Sequence, residues 1–264
     1  MIAGGTAPGD LAALLAKIER RGLRVSGYKQ PCLRRRIAVR MRARGVHTYD
    51  AYARVLDAQP EEYDLLVDAL TITVTKFFRN PETYAVLRER VVPAIVAGGG
   101  PIAVWSAGCA TGEEAYTLAI LFREAGGSRA RIDATDLDPA ALATLARAEY
   151  PEAALEDLPP DLRARWFTAQ APWRVSPEIV RMVRPLRHDL THDPAPQPPY
   201  QLIVCRNVVI YFDRPLQERL FRDFHDALVP GGWLLLGKVE ALFGPARTLL
   251  RTEDARERLF RRPA

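Results

Sequence analysis

Four short runs of residues, three of them entirely apolar, constrain the fold of this 264-residue chain most strongly. Apolar runs without polar alternation are typical of parallel strands that are buried on both faces of a sheet. Helical segments lie between these runs, and strands that alternate with helices predict a parallel α/β sheet. A turn is predicted at residues 230–232. The predicted strands are residues 102–105, 131–135, 202–205 and 233–236, and the predicted helices are residues 81–96, 113–125, 139–148 and 215–228.

The rest of the chain predicts a second domain and an inserted lobe. Leu33 and Ile37 belong to an apolar stripe at helical spacing, and we predict an all-helical N-terminal domain over residues 1–80. The α/β domain then covers residues 81–264. Prolines interrupt its strand–helix alternation at residues 150–187, where we predict an inserted lobe with a small antiparallel sheet and a helical lead-in.

Positive charge is concentrated in one segment of the chain. The net charge is +5, but residues 20–44 contain ten basic residues and no acidic one, so the remainder carries −5. A local basic surface of this kind predicts docking of a polyanionic partner, and a solvated helix face is the alternative interpretation. The candidate docking residues lie on one predicted helix and are Arg35, Arg36, Arg40, Arg42 and Arg44.

Cysteine and histidine spacing excludes several function classes. Three widely spaced cysteines, Cys32, Cys109 and Cys205, exclude a disulfide framework and a CxxC metal site. The four histidines show no ligand spacing, so we expect no metal. No apolar run approaches the roughly 20 residues of a membrane helix. The N-terminus lacks the features of a secretory signal, so we expect a cytoplasmic protein.

A glycine loop between a predicted strand and a predicted helix is the first candidate for ligand binding. Gly108 and Gly112 let the backbone approach a ligand, but the loop lacks the G-x-G-x-x-G fingerprint and a P-loop lysine. Glu113 and Glu114 begin the next helix and would repel a pyrophosphate. Asp136 ends the next strand, where an acidic residue accepts hydrogen bonds from ribose hydroxyls. The pattern fits NAD or S-adenosylmethionine and favours the second, while a tight turn without a ligand is the alternative.

Two further segments carry polar residues beside predicted apolar ones. Arg206 and Asn207 directly follow a buried strand, at the carboxyl edge where ligands of α/β sheets bind, and Tyr211 can reach the same crevice. Residues 71–81 alternate threonines with other residues and then reach Arg79. If Arg79 is partly buried it requires a polar partner, and an interdomain salt bridge is an equally good interpretation.

Four segments together resemble the chemotaxis protein-glutamate O-methyltransferase (CheR) family. Residues 71–79 are similar to the family's Thr-x-Asn-x-Thr-x-Phe-Phe-Arg segment, except that Thr73 stands where the family has Asn. Residues 108–116 are similar to its Gly-Cys-(Ser/Ala)-Thr-Gly-Glu-Glu-x-Tyr segment. Residues 136–138 resemble its Asp-x-(Asp/Asn) strand end, and residues 205–212 resemble its Cys-Arg-Asn-Val-x-Ile-Tyr-Phe segment.

This resemblance implies a fold, a cofactor and a set of site residues. The fold is an all-α N-terminal domain followed by a Rossmann-like S-adenosylmethionine-dependent methyltransferase domain with a small inserted β-subdomain. Arg79 and Tyr211 are implied as the catalytic pair. Asp189, like Thr73, stands where the family has Asn. The implied contacts to S-adenosylmethionine, whose product is S-adenosylhomocysteine, are Thr73, Thr75, Arg79, Gly108, Glu114, Asp136, Asp189, Leu190, Arg206 and Asn207.

The resemblance also implies a reaction and a partner. The chain would methylate glutamate side-chain carboxylates of chemoreceptors (methyl-accepting chemotaxis proteins) in sensory adaptation, with the receptors' cytoplasmic helical bundle docking on the arginines. Residues 167–175 are shorter and poorer in glycine than the lobe of members that grip a receptor's C-terminal peptide, so no peptide tethering is expected. We expect a monomer without membrane insertion.

Two other functions stay open. The chain could methylate another acceptor such as RNA, although only Tyr28 and Tyr49 flank the basic segment, which leaves few aromatic rings for base stacking. It could also bind the cofactor or another nucleotide without catalysis and act as a signalling adaptor.

Overall fold

The chain divides into two compact units. A computed structural model describes residues 9–70 and 75–264. The helical unit consists of Met1–Ile72 and Tyr211–Asp213, and the α/β unit consists of Thr73–Ile210 and Arg214–Ala264. Among the described residues, no helix is both long enough and apolar enough to cross a membrane.

Four helices form the helical unit. Two of them begin at side-chain caps: the Asp10 carboxylate accepts a hydrogen bond from the Ala12 N–H at 2.8 Å, and the Thr48 hydroxyl accepts one from the Ala51 N–H at 3.1 Å. Apolar residues at helical spacing fill the interior, where Ile18, Ile37, Tyr52, Leu56 and Leu66 are fully buried. The helices are α1 (Leu11–Arg20), α2 (Gln30–Ala43), α3 (Tyr49–Ala58) and α4 (Glu61–Leu70).

The short segment Tyr211–Asp213 also belongs to the helical unit. The Lys29 N–H donates a hydrogen bond to the Tyr211 carbonyl at 2.8 Å. The rings of Tyr28 and Phe212 meet edge to face with centroids 4.9 Å apart. This segment is therefore anchored beside the start of α2 by its backbone and by an aromatic contact.

A seven-stranded sheet forms the centre of the α/β unit, with the strand order β5-β2-β1-β6-β7-β9-β8. The first five strands of this order are parallel, and β9 and β8 add an antiparallel extension. In chain order the strands are β1 (Ala103–Ala107), β2 (Arg131–Asp136), β3 (Glu149–Tyr150), β4 (Trp173–Arg174), β5 (Val183–Arg187), β6 (Tyr200–Cys205), β7 (Leu228–Leu236), β8 (Arg251–Asp254) and β9 (Leu259–Arg261).

The strand order places a topological switch between β1 and β6. From β1 the chain runs outward to β2 and β5, and then it returns to add β6 and β7 on the other side of β1. The register pairs Val104 with Leu202 and Ala107 with Thr135, so the carboxyl ends of these strands lie at one edge. Ligands of open α/β sheets bind outside the carboxyl ends of the strands at such a switch.

Helices flank the sheet on the chain segments between its strands. A π-helical turn, Leu87–Val91, joins the first two of these helices, and short 3-10 turns lie at Glu152–Leu155 and Val209–Tyr211. The helices are α5 (Pro81–Val86), α6 (Val92–Ala97), α7 (Glu113–Glu124), α8 (Pro139–Arg147), α9 (Pro160–Trp166), α10 (Pro177–Val180), α11 (Arg214–Ala227) and α12 (Ala246–Leu249). An all-helical N-terminal unit thus precedes a mostly parallel α/β sheet, which confirms the predicted fold class.

A small lobe lies between α8 and β5. Its strands β3 and β4 pair antiparallel, with Tyr150 opposite Trp173, and α9 lies between them in the chain. Val183–Arg187, which the sequence analysis placed inside the lobe, instead pairs parallel with β2 at the edge of the main sheet. Its two exposed arginines and its proline concealed the strand, and such residues are common on edge strands because they block pairing with other chains.

Residues 75–80, which the sequence analysis placed at the end of the N-terminal domain, belong to the α/β unit. Phe77 is fully buried in the core of that unit. Its ring meets the rings of Tyr150 and Phe167 edge to face, with centroid distances of 4.9 Å and 5.0 Å. This aromatic cluster anchors the segment that carries Arg79.

Candidate active site

The loop after β1 requires glycine at two positions. Gly108 and Gly112 have φ values of 81° and 98°, which side chains rarely adopt. A Cβ atom on Gly108 would lie 2.5 Å from the Val208 side chain, and one on Gly112 would lie 2.5 Å from the Leu145 side chain. The first contact joins the loop after β1 to the loop after β6. The glycines therefore allow close packing of the two loops that border the switch point.

Asp136, at the end of β2, holds this glycine loop in place. Its Oδ2 atom accepts a hydrogen bond from the Ala110 N–H at 2.8 Å, and its Oδ1 atom accepts one from the Asp138 N–H at 3.0 Å. Burial raises the pKa of the Asp136 carboxyl, and the two N–H donors oppose that rise. Asp138 caps α8 through a hydrogen bond from the Ala140 N–H.

Asp189 and Leu190 follow β5, the strand next to β2. The His188 N–H donates to the Asp136 carbonyl at 3.0 Å, which brings this segment to the end of β2. The Asp189 carboxylate accepts hydrogen bonds from the N–H and the hydroxyl of Thr191. Leu190 is buried at 9% exposure. The segment is thus a side-chain-stabilised turn at the same edge as the glycine loop.

Arg206, the first residue after β6, is buried and contacts the segment that contains Arg79. Its Nη1 atom donates to the Tyr84 hydroxyl at 3.1 Å, and its Nη2 atom donates to the Arg79 carbonyl at 3.0 Å and to the Asn80 side-chain oxygen at 2.8 Å. Phe78 and Asn80 have φ values of 53° and 65°, so left-handed residues flank Arg79 on both sides. Strained backbone of this kind persists where its surroundings hold it, and Arg206 supplies that support. The Arg206 guanidinium therefore links the end of β6 to the segment that carries Arg79.

Glu114, in the first turn of α7, lies on the other side of Arg206. Its Oε1 atom accepts a hydrogen bond from the Ser106 hydroxyl at 2.8 Å, and its Oε2 atom lies 3.6 Å from Arg206 Nη1. Burial raises the pKa of the Glu114 carboxyl, although Arg206 opposes this rise. Glu113 is also buried and accepts a hydrogen bond from the Thr111 hydroxyl.

Two carboxyl groups with raised pKa values lie at the switch point. Burial raises the pKa of the Glu114 and Asp136 carboxyl groups, and Arg206, which lies 3.6 Å from Glu114, opposes the rise at Glu114. A cationic ligand would favour the ionised form of these carboxyl groups, whereas a phosphate would be repelled. The site therefore suits a cationic nucleoside such as S-adenosylmethionine, which carries a sulfonium.

The structure describes all but one of the predicted cofactor-binding residues. Thr75 is half-buried, two residues before the buried Phe77. Asn207 follows Arg206 with a φ of 60°, and its N–H donates to the Glu240 carboxylate. Thr73 lies outside the described residues. Gly108, Glu114, Asp136, Asp189, Leu190, Arg206 and Asn207 all lie at the carboxyl edge of the sheet.

In the helical unit, the arginines of α2 fall into two groups. Arg40 and Arg44 donate hydrogen bonds to Glu62, which is fully buried, and the Tyr52 hydroxyl donates to the same carboxylate at 2.8 Å. Burial opposes ionisation of Glu62, but these donors outweigh it and lower its pKa from 4.5 to about 2. The remaining candidate docking residues are the exposed Arg35 and Arg42 and the half-buried Arg36.

Two family models match the chain. Residues 73–258 match the model described as CheR methyltransferase, SAM binding domain. The chain belongs to the CheR methyltransferase family. Residues 10–71 match the model described as CheR methyltransferase, all-alpha domain, so both structural units of this CheR chain correspond to parts of the family. Its fold is therefore the Rossmann-like methyltransferase fold, which follows an all-α domain in the chain, and its cofactor is S-adenosylmethionine.

Three curated relatives show how far the similarity extends. An uncharacterized 104.1 kDa protein of Rhodobacter capsulatus is 40% identical over 81% of this CheR chain, which spans only 23% of that relative. A chemotaxis protein methyltransferase of Listeria innocua is 34% identical over 85% of the chain and 87% of the relative. One of Klebsiella aerogenes is 33% identical over 84% of the chain and 79% of the relative.

The structure adds residues that the sequence did not indicate. Tyr84 and Asn80 accept hydrogen bonds from the Arg206 guanidinium, and Glu240 accepts hydrogen bonds from backbone N–H groups of the loop after β6. Asn80 is adjacent in sequence to the predicted site residue Arg79, and this position was a signal that could have indicated it. Glu240 lies more than 30 residues after the loop, and nothing in its local sequence indicates the contact. Among the described residues, no group of three or more His, Cys, Asp or Glu side chains could hold a metal ion.

Proposed function

We propose that this CheR chain transfers the methyl group of S-adenosylmethionine to glutamate side-chain carboxylates of chemoreceptors. The observation that carries the proposal is the match of both units, residues 10–71 and 73–258, to the two domains of one methyltransferase family. Relatives from Listeria innocua and Klebsiella aerogenes are named chemotaxis protein methyltransferases, and they support chemoreceptors as the acceptor.

The proposed cofactor site lies at the switch point of the sheet. We propose that the Asp136 carboxylate, at the end of β2, accepts hydrogen bonds from the ribose hydroxyls. Gly108 allows close backbone approach, and Glu114 contributes a second carboxyl group. Bound S-adenosylmethionine supplies an electrophilic methyl group on a cationic sulfur. We assign the remaining cofactor contacts to Thr73, Thr75, Arg79, Asp189, Leu190, Arg206 and Asn207, and Arg206 also supports the Arg79 segment.

The proposed chemistry places few demands on acid–base catalysis. A glutamate carboxylate has a reference pKa of about 4.3 and is already ionised at neutral pH. The protein therefore contributes orientation and exclusion of water, and well-oriented reactants can gain roughly 7–11 kcal/mol. We propose that Arg79 steers the acceptor carboxylate and that Tyr211 positions it for in-line attack. The turn of left-handed residues around Arg79, held by Arg206, supports a fixed orientation of this side chain.

The proposed docking surface is the exposed face of α2. Arg35 and Arg42 are exposed and lie two helical turns apart, and Val39 between them is 44% exposed. An acidic helix with an apolar residue between its carboxylates is complementary to this face in charge and in hydrophobicity. We therefore propose that the cytoplasmic helical bundle of a chemoreceptor docks here.

The test is transfer of labelled methyl groups from S-adenosylmethionine to receptor-containing membranes. The label in methyl esters is base-labile and is measured as the methanol that base releases. We expect base-labile label with the wild-type chain and none with Arg79→Ala. The matched control is Arg181→Ala, which removes an exposed arginine of the same unit and should retain transfer.

Three outcomes separate the proposed function from its alternatives. Label that resists base but is released by ribonuclease would indicate RNA as the acceptor. No label, in a preparation that binds S-adenosylhomocysteine, would indicate a cofactor-binding adaptor. Full transfer by Arg79→Ala would refute the catalytic assignment while leaving carboxyl methylation intact.

A further inference from the structure

Glu240 is a buried carboxylate that meets a converging set of backbone N–H groups. It is 3% exposed and lies four residues after the end of β7. Its Oε2 atom accepts hydrogen bonds from the N–H of Asn207 at 3.0 Å and of Gly237 at 2.6 Å. Its Oε1 atom accepts hydrogen bonds from the N–H of Val208 at 2.9 Å and of Ile210 at 3.3 Å. Three of the four donors belong to one loop, the segment 207–210 after β6.

The 207–210 loop is shaped around this carboxylate. Asn207 adopts a left-handed φ of 60°, which turns its N–H and that of Val208 toward the same group. Successive N–H groups in such a conformation form a concave anion site, and here the anion is the side chain of Glu240. Val208 in turn contacts Gly108 of the glycine loop, where a Cβ atom would lie only 2.5 Å from its Cγ2 atom. The carboxylate therefore links the ends of β7, β6 and β1.

Gly237 provides an independent observation on the same contact. A Cβ atom on Gly237 would lie 2.7 Å from Glu240 Oε2 and 2.9 Å from the Asn207 nitrogen. Gly237 is not among the glycines with positive φ, so its backbone angles alone do not require glycine. The absence of a side chain here is instead explained by the close approach of the carboxylate to the loop.

We infer that Glu240 is a positioning residue for cofactor binding: its carboxylate fixes the 207–210 loop and so places Asn207 at the switch point. The inference rests on the proposed contact between Asn207 and S-adenosylmethionine. Glu240 itself lies behind the loop and acts through it.

Replacement of Glu240 by glutamine tests this role with little change in volume. A carboxylate offers acceptor positions on both oxygens, whereas the amide offers one acceptor oxygen and one donor NH₂ group. In one orientation the amide NH₂ group would face the N–H groups of Val208 and Ile210, and these would lose their acceptor. In the other orientation it would face those of Asn207 and Gly237. Leaving buried donors unsatisfied weakens the bound conformation, and we expect the Kd for S-adenosylhomocysteine to rise about 10- to 100-fold.

The experiment is isothermal titration of the full chain with S-adenosylhomocysteine, which reports both Kd and stoichiometry. A variant that only folds less completely lowers the stoichiometry at an unchanged Kd, whereas a positioning role raises the Kd at a stoichiometry near one. The matched control is Glu257→Gln. Glu257 is equally buried in the same unit, but it accepts hydrogen bonds from the Thr83 hydroxyl and Lys238 Nζ rather than from the loop. We expect this control to keep the wild-type Kd.

Gly237→Ala approaches the same contact from the opposite side. It should raise the Kd as Glu240→Gln does, and the double variant should show less than the product of the two single effects, because both disturb one contact. If Glu240→Gln does not fold, Gly237→Ala carries the test.

Two results would overturn the inference. One is a Kd for Glu240→Gln or Gly237→Ala within threefold of the wild-type value at full stoichiometry. The other is wild-type binding by Asn207→Ala, which would remove the premise. Because the titration contains no methyl acceptor, failure of receptor methylation would leave these results unaffected.

Discussion

Arg40 and Arg42 lie two residues apart on α2, and we predict opposite consequences when each is replaced by alanine. Arg40 donates two of the four hydrogen bonds that hold the buried Glu62 carboxylate, at 2.9 Å and 2.8 Å. Arg42 is exposed. Arg40→Ala should therefore destabilise the helical unit, whereas Arg42→Ala should leave its stability unchanged and weaken docking of an acidic partner.

The magnitude follows from the ionisation of Glu62. The folded structure lowers its pKa from 4.5 to about 2, which corresponds to about 3 kcal/mol of stabilisation of the charged form. Arg40 supplies half of the hydrogen bonds, so its loss should cost about 2 kcal/mol. Because the folded-state pKa is lowered, this contribution is present above pH 4.5 and is lost as the pH falls toward 2. The difference between Arg40→Ala and wild type should shrink over that interval.

Hydrogen exchange resolved to peptides of α2 and α4 is the suitable assay. All four tryptophans, Trp105, Trp166, Trp173 and Trp233, lie in the α/β unit, so tryptophan fluorescence would not report on the helical unit. A loss of about 2 kcal/mol should accelerate exchange of the slowest amides about 30-fold in Arg40→Ala. In the methylation assay, Arg42→Ala should raise the KM for the receptor, and more so at low salt. Equal rates of amide exchange in the two variants would refute the assignment of Arg40 to stability and Arg42 to docking. A change in the KM for the receptor in Arg40→Ala alone would refute it as well.

Three further outcomes are expected from the α/β unit. Affinity for S-adenosylmethionine should rise as the pH is raised above the ordinary carboxyl range, because burial raises the pKa of Glu114 and Asp136 and a cationic ligand favours their ionised forms; calorimetry at several pH values checks this, and a flat profile contradicts it. Gly108→Ala should lower the melting temperature more than Gly99→Ala, since both glycines have positive φ but only the first would place a Cβ atom against a neighbour; equal shifts would mean that φ alone matters. Arg206→Lys should reduce kcat more than about tenfold, because a single ammonium nitrogen cannot reach the three acceptors that two guanidinium nitrogens reach; wild-type turnover would show that this support is dispensable.

Local signals were enough to predict the parallel sheet and one edge of the site. The four predicted runs correspond to strands of the sheet, and polar residues at the ends of these strands, such as Asp136 and Arg206, lie at the carboxyl edge. Residues 230–232 were predicted to form a turn, but they lie inside β7, where the pairing with β6 shifts register. Proline and glycine indicate an interruption of regular pairing, and local sequence does not distinguish a turn from a bulge.

Contacts between distant parts of the chain could not be predicted in this way. Glu62 lies 22 residues from Arg40 in the first turn of α4, where an exposed acid is the ordinary expectation. Glu240 lies 33 residues from Asn207, and its neighbours Lys238 and Val239 give it the pattern of a surface loop. Each carboxylate is buried only because several donors from elsewhere converge on it, and that convergence is a property of the tertiary structure.

Two local surfaces, one in each unit, differ in the groups they offer to a ligand, and each suits one of the two ligands proposed for a methyl transfer to carboxylates. The switch point of the α/β unit holds the carboxyl groups of Glu114 and Asp136, whose ionised forms a cationic cofactor would favour. Arg40 and Arg44 are paired with Glu62, whereas Arg35 and Arg42 stay on the exposed face of α2, which favours an anionic acceptor. A net charge of +5 conceals this separation. If it governs function, raising the salt concentration should weaken receptor docking strongly and cofactor binding little, because exposed charges are screened far more than buried ones.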